Sequence, residues 1–198
     1  MESQKERVIL HSDMNNFYAN VECLFDPAIR ALPVAVCGDP LARHGIVLAK
    51  NQLAKAAGIM TGEAIWQARQ KCPHLHVVAP DYRKYLFYAR KARQIYEEYT
   101  LQVEPFGLDE SWLDVTGSPR GNGPQIAEQL RQRIKQELGL TVSVGVSYNK
   151  IFAKLGSDMK KPDAITVITR DNFRSLVWPL PAAELLYVGR STRQKLRR

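Results

Sequence analysis

The sequence predicts an α+β fold: a ferredoxin-like antiparallel sheet backed by two long helices, with a small α/β lobe inserted after the first strand and helix. Three observations predict it. Residues 82–99 and 124–138 carry apolar side chains at a period near 3.6, the mark of helices with one buried face. Thr141 to Tyr148 alternates strictly, with Val142, Val144 and Val146 on one side and Ser143, Gly145 and Ser147 on the other. Between residues 25 and 80 lie short β-prone runs and short helical patterns that can close a core of their own.

In chain order, Val8 to Asp13 is a β-prone run ending in an acid, and Phe17, Val21 and Leu24 then share one helical face. Pro33 to Cys37 and Gly45 to Ala49 read as strands joined by a polar loop. Asn51 to Ala57 and Glu63 to Lys71 read as helices, and Val77 to Ala79 as a third short strand. The long helix from Tyr82 has Tyr85, Leu86, Ala89, Ala92, Ile95, Tyr96 and Tyr99 at its apolar positions, and most of its Arg and Lys residues are expected on a solvated face. A second amphipathic helix runs from Pro124, with Ile126, Leu130, Ile134 and Leu138 on its stripe, to Gly139. The small-residue face of the strand after it invites another backbone or a ligand to lie close. Asn149 to Met159 is a helix, Ala164 to Ile168 a strand, Asp171 to Trp178 a helix, and a further helix opens near the end.

The chain has 198 residues, 45% of them apolar, which is enough for a real core and a smaller lobe. A formal net charge of +8 suits a polyanionic partner. No stretch is long and apolar enough to span a bilayer, and no leader is evident, so a soluble cytoplasmic protein without membrane attachment is expected. Three cysteines argue against a disulfide framework. Cys72-Pro-His74-Leu-His76 lacks a second ligand pair, so no zinc is expected there.

The chemistry centres on Pro105-Phe-Gly-Leu-Asp-Glu-Ser-Trp-Leu-Asp-Val115. Asp109 and Glu110 sit where a turn marked by Gly107 enters an apolar strand. A solvated turn is the common fate of such a pair; the alternative is a cationic partner, and carboxylate oxygens suit magnesium or manganese. Asp13 ends the first strand beside a helix start, a place for a helix cap or for an ion with a phosphate. Adjacent strand residues point to opposite faces, so Asp109 and Glu110 can share an ion only if Asp109 lies in the turn.

Four blocks then carry a resemblance: His11-Ser-Asp-Met-Asn-Asn-Phe-Tyr-Ala-Asn-Val-Glu22; Gly107-Leu-Asp-Glu-Ser-Trp-Leu-Asp-Val115; Ser143-Val-Gly-Val-Ser-Tyr-Asn-Lys150 with Phe152-Ala-Lys154; and Asp158-Met-Lys-Lys-Pro162. In this order they resemble the Y-family (translesion) DNA polymerases of the bacterial DNA polymerase IV-like group. The resemblance implies a palm at residues 1–24 and 81–178, fingers at 25–80, and the start of a thumb at 179–198. It also implies template-directed addition of dNTP to a primer 3′-OH, in low-fidelity lesion bypass during DNA repair.

In that family Asp13, Asp109 and Glu110 would hold two Mg2+ ions, with Mn2+ able to replace them, and the Met14 carbonyl would complete one site. One ion would acidify the primer hydroxyl, and the other would clamp the triphosphate. Phe17 and Tyr18 fall at the family's paired aromatic positions. Phe17 shares the apolar stripe and is expected in the core, whereas Tyr18 would be the steric gate against a ribose 2′-OH. Lys161 matches a triphosphate-binding lysine. Gln52 and Lys55 stand where the family commonly has Tyr and Arg, so weaker nucleotide binding is expected, because Gln is uncharged and Lys lacks the guanidinium fork. Asn15 stands where many relatives carry a second acid.

The chain ends inside the first thumb segment, at Val188-Gly-Arg190, so it reads as a palm-and-fingers fragment with poor primer extension. DNA primer-template and dNTP are the implied partners, with a sliding clamp reached through a region beyond Arg198. The alternative is a catalytically silent DNA-binding or scaffold relative; such proteins lose the acids that this chain keeps. A nucleotide cyclase has no reason to keep Tyr18 or the Asp158–Pro162 block. A proofreading nuclease would need a second acidic cluster, which Asp39, Asp81, Asp114 and Asp171 do not form.

Overall fold

The computed structural model describes residues 6–38 and 45–196. Asp39 and most of the polar loop before Gly45 lie outside the described residues, as does the start of the N-terminal segment. The chain divides into two compact units, residues 1–15 with 91–198 and residues 16–90.

The larger unit is built on a five-stranded sheet in the order β5-β6-β1-β7-β8. Its strands are β1 (Ile9–Met14), β5 (Val103–Phe106), β6 (Glu110–Asp114), β7 (Val142–Ser147) and β8 (Ile165–Ile168). β1 is central and antiparallel to both β6 and β7. β8 joins β7 in parallel, as a strand reached through a crossover helix must. That crossover is α6 (Lys150–Met159). The antiparallel sheet expected from the sequence is therefore present, with one parallel edge strand.

Every residue of β1 and β7 is buried, so both faces of the sheet are covered. α5 (Gly123–Leu138) sets Ile126, Leu130 and Ile134 against the face that carries Leu10 and the three valines of β7. Asn122 caps it through Gln125 N–H, and Gly139 ends it in a left-handed backbone, φ 67°. α6 covers the opposite face, and Gly145 is what admits it. A Cβ there would meet the Ala153 carbonyl oxygen at 1.8 Å. Of the two occupants its composition allowed, another backbone or a ligand, the small-residue face of this strand receives the backbone of α6.

The smaller unit has a three-stranded sheet in the order β3-β2-β4, from β2 (Val34–Cys37), β3 (Val47–Lys50) and β4 (His76–Val78). β2 pairs antiparallel with β3 and parallel with β4. α1 (Phe17–Phe25) packs on β2 and β3, which is why it groups with this unit although it directly follows β1. α2 (Gln52–Ala56) and α3 (Ile65–Lys71) complete the unit, with Ala54, Ile65 and Ala68 in its core. α4 (Tyr82–Glu97) crosses the division at residues 90 and 91. α7 (Phe173–Val177) and α8 (Arg190–Leu196) follow the large sheet. Among the described residues no helix is long and apolar enough to cross a membrane.

Candidate metal centre

Asp13 and Glu110 are register partners across β1 and β6, so both side chains leave the sheet on one face. Asp109 precedes β6 in a turn, where Gly107 has φ 81°, a region that favours glycine. The Met14 N–H donates to the Asp109 carbonyl at 3.0 Å, tying this turn to the end of β1. Asp109 thus escapes the alternation that would have sent it to the far face. Its carboxyl is pushed up to about 6 by burial and then by the negative charges of Asp13 and Glu110.

Two lysines compensate the acids. Lys161 Nζ lies 2.6 Å from Asp13 Oδ2 and 2.9 Å from Asp158 Oδ1. Lys154 Nζ lies 3.1 Å from Asp13 Oδ2, 2.7 Å from Glu110 Oε2 and 3.2 Å from Asp158 Oδ2. The one-turn spacing of Lys154 and Asp158 on α6 puts both on the face toward the acids. Burial disfavours each ammonium, but Asp13 and the other carboxylates outweigh it, so both lysines titrate above their ordinary value. Burial likewise raises Glu110, and the approach of His11 with the charge of Lys154 more than offsets it, leaving Glu110 below its ordinary value.

His11 lies two residues before Asp13 on the same strand face and is fully buried. Its Nε2 is 3.1 Å from Glu110 Oε2, although the atoms are not aligned as a hydrogen bond. Its Nδ1 is 2.9 Å from Ser157 Oγ, and the Ser157 hydroxyl donates to the Lys154 carbonyl at 2.7 Å. With its one proton committed there, Ser157 accepts from His11 Nδ1–H. On the other sheet face the Ser12 and Tyr96 hydroxyls meet at 2.9 Å. Tyr96 is pushed up to about 12 by burial, with the charges of Asp13 and Asp109 adding to it.

The donor set fits a divalent cation in kind. Asp13, Asp109, Glu110 and Asp158 are four carboxyl groups facing the two ammonium groups of Lys154 and Lys161, and Asp109 registers the surplus of negative charge. Hard oxygens in such surplus suit Mg2+ or Mn2+. In position the fit is incomplete. Among the described residues no three His, Cys, Asp or Glu side chains converge closely enough to hold an ion. The lysines draw Asp13 and Glu110 instead, and an ion would have to displace them. Met14, whose carbonyl was expected to help, is the last residue of β1.

The remaining site candidates lie in the smaller unit. Phe17 is buried, in keeping with its place on the apolar stripe. The half-buried Tyr18 ring stacks on Tyr85 at 4.2 Å between centroids and 10° between planes. Tyr85 is fully buried; its hydroxyl donates to Glu22 Oε1 at 2.7 Å, and Lys84 pairs with Glu22 at 2.6 Å. Gln52 and Lys55 are both exposed on α2, one turn apart on one face.

The structure therefore brings Asp13, Asp109, Glu110 and Lys161 together, while Tyr18, Gln52 and Lys55 belong to the other unit. Sequence reasoning missed His11, Lys154 and Tyr85. The two-residue spacing from Asp13 signals His11, and the four-residue spacing to Asp158 signals Lys154. Tyr85 was read only as core.

The family described as impB/mucB/samB matches residues 12–158. DNA polymerase IV of Acetivibrio thermocellus is 61% identical over 193 residues, covering 96% of this chain and 48% of that protein. DNA polymerase IV 1 of Bacillus subtilis is 41% identical over 194 residues, covering 98% of this chain and 47% of its own length. Among solved structures, DinB from Sulfolobus solfataricus superposes with a TM-score of 0.88 at 27% identity, covering 96% of this chain and 56% of that one. An insertion ternary complex of Dbh DNA polymerase gives 0.89 at 27% identity, with 96% and 57% covered. The chain spans about half the length of the curated relatives it matches.

Proposed function

Because this chain belongs to the impB/mucB/samB family and shares the fold of the Y-family DNA polymerases, we propose that it carries the catalytic centre of a lesion-bypass polymerase. The reaction is template-directed transfer of a dNTP to a primer 3′-OH. The observation that carries this reading is the cluster of Asp13, Asp109 and Glu110 at the meeting of β1 and β6, with more negative charge than its lysines balance.

Asp13, Asp109, Glu110 and the Met14 carbonyl would hold Mg2+, two ions by the family pattern, with Mn2+ able to serve. Bound there, the metal supplies the acidifying and charge-neutralising power that nucleotidyl transfer needs. The chain's own groups do the rest. Lys161, freed from Asp13, turns its ammonium to the triphosphate, and Lys154 keeps Glu110 ionised. Gln52 and Lys55 offer hydrogen bonds to phosphate oxygens, and Tyr18 excludes the ribose 2′-OH. Primer-template DNA is the macromolecular partner, a sliding clamp the recruiting one, and the cytoplasm the place of work.

A catalytically silent relative is the second reading, and the closure of Asp13 and Glu110 by lysines is what favours it. Primer extension on a primed template, comparing the unaltered protein with the double variant Asp109→Ala and Glu110→Ala, separates the two. Extension that disappears in the variant supports catalysis. Extension that survives it ends the reading.

A further inference from the structure

Lys161 reaches Asp13 from an irregular segment between α6 and β8, and no strand or helix of that segment's own holds it. Two residues on, Asp163 has φ 55°, a left-handed backbone that residues with a Cβ rarely adopt. Such backbones persist where their surroundings over-determine them, and they gather at functional sites. Here the surroundings are specific. The Asp163 N–H donates to Asn15 Oδ1 at 2.8 Å. Its carboxylate takes Arg131 at 2.7 Å and Lys135 at 2.8 Å, both from α5.

Asn15 is itself held. It is 4% exposed, its side-chain amide donates to Ser143 Oγ on β7 at 2.9 Å, and its backbone N–H donates to the Thr141 carbonyl at 2.8 Å. It stands two residues after Asp13. One side chain thus joins the end of β1, the start of β7 and the segment that presents Lys161.

We propose that Asn15 is a positioning residue for Lys161: by anchoring Asp163 it fixes where the Lys161 ammonium stands, first against Asp13 and then against the nucleotide triphosphate. The proposal rests on the reading of Lys161 as a triphosphate contact. Asn15 itself touches no substrate. Because a backbone N–H can only donate, Asn15 must present an acceptor to Asp163. An aspartate at this position supplies one, and the Ser143 hydroxyl can turn to donate to it. Alanine supplies none.

The test is single-nucleotide insertion by the whole chain, reading KM for dNTP against kcat. Asn15→Ala is expected to raise KM about tenfold, the scale of one hydrogen bond near a charged group, with kcat changed less than about twofold. Lys161→Met should raise KM similarly, and the double variant should be no worse than Lys161→Met alone. Asn15→Asp should restore KM. A residue needed only for folding would lower the melting temperature and the active fraction without this split or this rescue.

An unchanged KM in Asn15→Ala, or additivity with Lys161→Met, overturns the proposal. An unchanged KM in Lys161→Met, or no insertion by the unaltered chain, instead overturns the reading on which it rests. Should Asn15→Ala fail to fold, Ser143→Ala loosens the same anchor and must raise KM in the same direction by a smaller factor; no change there also overturns it.

Discussion

Asp13 and Glu110 face each other across β1 and β6, and one ammonium, Lys154 Nζ, stands 3.1 Å from the first and 2.7 Å from the second. With its side chain only 12% exposed, Lys154 is a buried counter-charge more than a surface ion pair. Lys154→Met should therefore destabilise the metal-free protein by about 2–3 kcal/mol, since it leaves buried carboxylates without their cation. Millimolar Mg2+ should recover part of that loss by binding only the folded state. Urea denaturation with and without Mg2+ checks both; an equal loss in the two conditions contradicts an ion at these carboxylates.

Asp109 predicts a pH dependence. Its folded pKa of about 6 lies above the ordinary 3.8, so the folded state holds this proton more tightly. The stabilising contribution is complete below pH 3.8 and is lost as pH rises through about 6. That loss amounts to about 2–3 kcal/mol at 1.36 kcal/mol per pH unit. Glu110 runs the other way: its pKa is depressed, so its contribution is lost only as pH falls through a value below 4.5. Between pH 4.5 and 6 the slope belongs to Asp109 within this pair. Denaturation across that window should show it in the unaltered protein and not in Asp109→Asn.

The stack of Tyr18 on Tyr85 predicts how sugar selection depends on ring position. Tyr18→Ala should raise ribonucleotide insertion relative to deoxyribonucleotide by about tenfold or more, because a lost steric block no longer rejects the 2′-OH. Tyr85→Phe keeps the stacked ring and should leave selection nearly intact. It should still cost about 1–3 kcal/mol of stability, because the buried Glu22 loses its hydroxyl donor. Insertion assays with matched dNTP and NTP, beside thermal melts, separate the two effects.

Gly145→Ala tests the packing of α6 on β7. With the Ala153 carbonyl oxygen 1.8 Å from the added carbon, the helix must move away from the strand, at a cost of about 3 kcal/mol or more. Because α6 carries Lys154, Ser157 and Asp158, the shift should also weaken the lysine–carboxylate contacts. A melting temperature within a degree of the unaltered protein would contradict this packing.

Much of the fold was legible because its signals are local. Alternation over residues 141–148 gives β7, the apolar stripe from Ile126 to Leu138 gives α5, and Gly145 announces a close backbone approach. Gly107 announces the turn that Asp109 requires. Less legible were the partners of the acids. Lys154 and Lys161 are 141 and 148 residues from Asp13, and no periodicity joins them. Solvated charges look the same in sequence as buried ones.

The sequence by itself determined the order of strands and helices, the presence of three acids at or beside predicted strand ends, and, through four motif blocks in order, the resemblance to a family. Tertiary structure alone decided that β6 aligns on β1 with Glu110 opposite Asp13, and that Lys154, Lys161 and His11 close on those acids. It also decided that Asp109 titrates near 6. The physical reason is that secondary structure follows from contacts a few residues apart, whereas burial and charge pairing depend on which distant segments share the space between β1, β6 and α6.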